Sequence, residues 1–138
     1  MNRRFVLITI AVAGILAVTT AFAQQRRPYD QIMKDVGATW ANLKKNLDAN
    51  SAAEAAADAA KLQALFTETE AFWAPLEIGD AVGFAKNARN GAAVVETAAK
   101  ANDIKAAQAA YSAVQKNCGN CHFAHREDTG KGGFVIRP

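Results

Sequence analysis

The chain has 138 residues and a formal net charge of +3 at pH 7. That length suits one domain, and without Arg3 and Arg4, which the leader described next takes with it, the charge falls to about +1 and gives no electrostatic footprint for nucleic acid. Both cysteines and both histidines fall in one short stretch, Lys116 to Glu127.

In chain order, the first element is a leader. Arg3 and Arg4 supply a positive start, Phe5 to Phe22 is apolar and uncharged, and Ala21-Phe22-Ala23 is a small-x-small site. This pattern predicts a secretory signal peptide over 1–23, cleaved after Ala23. The competing reading is an uncleaved anchor, since the apolar run approaches the length of a membrane span. Cleavage removes two of the positive charges and leaves a domain over 24–138 with no membrane attachment. Export implies an oxidising compartment, most simply a bacterial periplasm.

Four segments of helical period follow. The first opens at Pro28, a good first-turn residue, and carries Ile32, Met33, Val36, Trp40, Leu43 and Leu47 at spacings of three and four, ending at Asp48-Ala49-Asn50. The second starts at Ser51, with Glu54 at capping-box distance. It is rich in alanine, the best intrinsic helix former, and its stripe continues through Leu62, Leu65, Phe66, Thr69, Phe72 and Trp73 to Pro75. The third enters at Gly79-Asp80, presents Phe84, Ala88, Ala92, Val95 and Ala99, and breaks at Asn102-Asp103. The fourth is expected from about Asp103 to about Glu127. No stretch reads as a strand core, and the glycine-rich 130–138 is expected as an extended tail lying against the helices. Short connections predict an all-α, antiparallel up-down four-helix bundle.

Turning about 100° per residue, Ile104, Ala107, Tyr111, Val114, Cys118, Cys121, His122 and His125 form one seam of the fourth helix. The seam predicts that the cysteine motif faces the bundle interior. Cys118-Gly119-Asn120-Cys121-His122 is C-x-x-C-H, the pattern of c-type haem attachment. Two thiols one helical turn apart can form thioether bonds to the two vinyl groups on one porphyrin edge, and His122 then serves as proximal iron ligand. Other readings of the pair are a redox dithiol, which goes with a βαβ setting, a structural disulfide, or a zinc site completed by His122 and His125.

An exported helical bundle with C-x-x-C-H near the end of its last helix resembles cytochrome c prime and its low-spin relatives, the class II c-type cytochromes. The resemblance covers the whole mature chain and is sharpest in CGNCHFAHRE, in IMKDVGATW, where Met33 precedes Gly37 by four residues, and in the closing GFVIRP. It implies one haem c inside one end of the bundle, held by Cys118 and Cys121 with His122 as proximal ligand. Met33 would face the distal side of the iron, and Arg126 would lie near the haem edge as a propionate partner. Tyr29 stands where typical members carry an arginine. Members often pair through their first two helices, and the alanine face from Ala52 to Ala60 would suit a homodimer or internal packing equally.

Met33 is the one methionine outside the leader, and a thioether is an accepted sixth ligand. Ordinary core filling is the competing role. Gly37, one turn on, removes bulk where a flat macrocycle would approach, at about 1 kcal/mol of helix propensity against alanine. Trp40 on the same stripe would wall the pocket or simply pack. His125 is expected as a propionate partner or a partly exposed residue, not a ligand. Ligation by Met33 predicts a single-electron carrier serving redox partner proteins; an open iron predicts a binder of nitric oxide or carbon monoxide. No residue set points to an enzyme.

Overall fold

The computed structural model describes residues 27–138; the expected leader and its cleavage site lie outside the described residues. Four helices form: α1 (Tyr29–Asp48), α2 (Ala52–Trp73), α3 (Gly79–Lys100) and α4 (Ile104–His125). Each break carries its own turn chemistry. Asn50 and Asn102 take left-handed backbone at φ 55° and 58°, which asparagine tolerates better than most residues. At α1 the Ser51 amide donates to the Asn46 carbonyl, and at α3 the Asp103 amide donates to the Ala98 carbonyl, so both helices close in the same Schellman manner. Between α2 and α3, Pro75 sits in a 3₁₀ turn, Ala74–Leu76, that Glu77 terminates at φ 58°.

Helix starts differ from expectation in detail. Pro28 stands just before α1 rather than in its first turn. Ser51 occupies the N-cap of α2, but its side chain makes no capping bond, so the capping box with Glu54 does not form. Asp103 does cap α4, accepting from the Ala106 amide at 2.9 Å.

Successive helices of 20 or 22 residues, joined by so few residues, can pack along their lengths only by running antiparallel. α1 packs on α2, α2 on α3 and α3 on α4, whereas α1 and α4 barely meet. The core fills one half of this bundle. Leu43, Leu47, Ala55, Ala59, Leu62, Val95, Ala99, Ala107 and Val114 are all buried there. Ala55, Ala56 and Ala59 thus spend much of the alanine face of α2 on internal packing. Small residues bring helices close: a Cβ on Gly91 of α3 would lie 2.5 Å from Val114 Cγ2 of α4.

The fourth helix ends at His125, two residues earlier than expected. Arg126–Asp128 (β1) then pairs antiparallel with Phe134–Ile136 (β2). The expected extended tail is therefore one strand of a small hairpin, turned by Gly130 and Gly132 at positive φ. Arg137 ties the hairpin to α4. Its amide donates to the His125 carbonyl at 2.9 Å, and its guanidinium donates to the carbonyls of Phe123 and Ala124. These are carbonyls that a helix end otherwise leaves without partners. No described helix is long and apolar enough to cross a membrane.

Candidate functional site

The apolar stripes do not all reach the core. On α1, Ile32, Leu43 and Leu47 are buried, but Met33, Val36 and Trp40 are only half-buried; so are Phe72 of α2, Phe84 of α3, and Cys118 and Cys121 of α4. All seven border a single cavity of about 1100 Å³, at the upper end of the size of small-molecule pockets. It occupies the end of the bundle formed by the start of α1, the end of α2, the start of α3 and the end of α4. Residues of β2 border it as well.

Every residue singled out from the sequence lies on this one cavity: Met33, Gly37 and Trp40 from α1; Cys118, Cys121 and His122 from α4; and Arg126 from β1. Trp40 stacks on Tyr111, with ring centroids 3.9 Å apart and planes 16° apart, and this pair links α1 to α4. Beside Gly37 there is open space: a Cβ there would meet nothing within 4 Å. Packing against its own neighbours therefore does not require a glycine at this position.

The seam of α4 is buried at Ala107, Tyr111 and Val114, then rises out of the core. Cys118 and Cys121 are half-buried, and His122 is exposed rather than core-facing as expected. Neither thiol is in a disulfide. Burial pushes Cys118 up to about 11, with the neighbouring Cys121 adding to it. Burial, and then the charge of Asp80, also raises Cys121. Such thiols stay protonated near neutral pH, unlike the activated thiolate of a redox dithiol. Partial burial, then the positive charge of Arg126, holds His122 below the ordinary imidazole value, so the ring is neutral at pH 7 and able to ligate. Arg126 Nη1 lies 3.4 Å from His122 Nδ1, and its guanidinium also covers the Phe134 ring at 3.5 Å from the centroid. An arginine can only donate, so this contact leaves the imidazole proton on Nε2. Ligation through Nε2 requires Arg126 to release Nδ1.

The expectation of a partly exposed His125 is overturned. Its ring is 9% exposed and tilted against Trp73, with centroids 5.2 Å apart. Nδ1 is 3.0 Å from the Arg137 carbonyl oxygen and Nε2 is 3.1 Å from Asp80 Oδ2. Both partners only accept, so both bonds form only with a proton on each ring nitrogen. The fold-back of the tail and the start of α3 supply these partners; helical spacing puts His125 on the inward seam of α4 but carries no sign of either partner. Among the described residues no three His, Cys, Asp or Glu side chains converge as a metal ion would require, so the zinc arrangement is not formed.

The sequence reading did not assign a site role to Tyr29, Phe72, Trp73 or Phe84, which line the same cavity. All but Tyr29 lay on predicted stripes, so their signal was present but indistinguishable from that of core residues. Asp80 and Arg137 had no local signal, because their roles depend on contacts across 45 and 12 residues of chain. No protein-family model matches the chain, and none of the curated proteins does.

Proposed function

We propose that this chain is a periplasmic monohaem c-type cytochrome of the class II kind, carrying single electrons between redox proteins without bond chemistry of its own. The observation that carries the reading is convergence. Two thiols and an imidazole at C-x-x-C-H spacing, the sole mature methionine and an aromatic wall all border one roomy, largely apolar cavity at one end of the bundle. Haem bound there would supply a one-electron iron couple. Cys118 and Cys121 would tether it to α4, so that an exported protein does not lose it. His122, neutral at pH 7, would ligate the iron once Arg126 releases Nδ1. Arg126 would then be free to pair with a propionate. Met33, from the opposite helix, would be the sixth ligand, and the apolar walls would exclude water. Partners would dock at the cavity rim, where His122 and Arg126 are exposed.

The test is spectroscopic. The chain co-produced with haem-attachment machinery should be coloured, give a pyridine haemochrome, and show a low-spin spectrum in both oxidation states. Cys118→Ser with Cys121→Ser should lose the covalent haem, and Met33→Ala should turn the spectrum high-spin. A colourless product refutes the reading; an unchanged Met33→Ala spectrum removes Met33 from the ligand set.

The open space beside Gly37 favours a second reading, a five-coordinate binder of nitric oxide or carbon monoxide on the same fold. Rapid, complete binding of carbon monoxide to the reduced protein would select it. The raised thiols weigh against a haem-free redox dithiol.

A further inference from the structure

Tyr29 opens α1 one turn before Met33, so the two share a face of the helix. Across from it, Trp73 is 1% exposed, and its indole N–H, a donor only, needs an acceptor. The Tyr29 oxygen provides it at 2.9 Å. The phenol ring is fixed as well. It stacks on Phe72, with centroids 4.2 Å apart, and meets Trp73 edge-on at 5.6 Å. Those contacts leave the hydroxyl only its own rotation. An acceptor alone would satisfy Trp73. A phenol also brings a proton, and among the described residues no group accepts it, although Tyr29 borders the cavity.

We infer that the Tyr29 hydroxyl is a preset hydrogen-bond donor to an acceptor atom of the cavity's occupant, either an exogenous ligand on the iron or a haem carboxylate. The inference rests on the haem reading above and adds a residue that reading does not use. Trp73 acts as the positioning residue, since its N–H occupies one lone pair of the phenol and directs the remaining donor. Burial pushes Tyr29 up to about 12, so the proton stays available at any physiological pH. A donor oriented before the ligand arrives needs no reorganisation when it acts.

The haem-loaded mature chain tests this with two probes. The first is carbon monoxide on reduced Met33→Ala, with and without Tyr29→Phe. If the acceptor is an iron-bound ligand, losing the phenol raises the C–O stretch and speeds release by several-fold to about tenfold, the kinetic equivalent of one hydrogen bond. The second is the reduction potential followed against pH in the wild-type chain and in Tyr29→Phe. If the acceptor is a haem carboxylate, the inflection moves to higher pH while the C–O stretch stays put. Trp73→Phe, which keeps the phenol but frees it, should shift the same observable part of the way. It decides the matter alone should Tyr29→Phe fail to accumulate. Coloured protein in which neither observable moves overturns the inference and leaves the haem reading standing. Colourless protein overturns both.

Discussion

Three residues separate His122 from His125, and their surroundings give them different chemistry. His122 is exposed on the cavity rim with one loosely held arginine; His125 is enclosed between two acceptors and an indole. Gly37 shows the same dependence on surroundings. Its site is open, so Gly37→Ala should stabilise the cofactor-free chain by about 1 kcal/mol through helix propensity, read from a denaturant midpoint. If the glycine serves the approach of a macrocycle, the same substitution should disturb the visible spectrum of the loaded protein. Stabilisation of both forms with an unchanged spectrum would reduce Gly37 to an accident of composition. Tyr29 gives a pH test with a defined sign. Burial raises it from 10.0 to about 12, so its contribution is complete below pH 10 and disappears as pH climbs toward 12. Alkaline loss of stability in the cofactor-free chain should therefore be shallower in Tyr29→Phe across that window, as urea melts at stepped pH would show.

Among the elements, the α3–α4 contact is the most exacting. Gly91→Ala places a methyl against Val114 Cγ2 and should cost about 1–3 kcal/mol, the usual range for overpacking. Val114→Ala in the same chain should recover part of that loss. If the double variant is no better than Gly91→Ala alone, the steric account of this contact fails. The helices themselves were legible because each boundary is written locally: asparagine where the backbone turns left-handed, proline after Trp73, aspartate at the start of α4. The hairpin was not. Arg126–Asp128 and Phe134–Ile136 are exposed throughout, so no alternation of buried and polar residues marks them. The site divides in the same way. C-x-x-C-H is a local spacing, and Met33, Gly37 and Trp40 follow from one helical stripe. Tyr29 with Trp73, and Asp80 with His125, meet across more than forty residues, and nothing local announces such meetings. An apolar stripe also reads alike whether its partners fill the space against it or leave a cavity.

At the scale of the whole molecule, one half of the bundle is densely packed and the other is built around a void. A void forfeits the contacts its lining would otherwise make, so the cofactor-free chain should be markedly less stable than the loaded one. Any group that binds only the folded form adds to stability by mass action, and a covalent tether cannot dissociate. Thermal melts of the wild-type product and of Cys118→Ser with Cys121→Ser should differ by many degrees; equal midpoints would mean that the cavity is not an occupied site. The sparse contact between α1 and α4, bridged by Trp40 on Tyr111, bears on the order of assembly. Those are the first and the last of the four helices. Because α4 rests on α3 and barely meets α1, the unit of α2, α3 and α4 can form before α1 docks on α2. If a bulky group is fastened to α4 at that stage, it would meet no obstruction, and the docking of α1 would then shut it in.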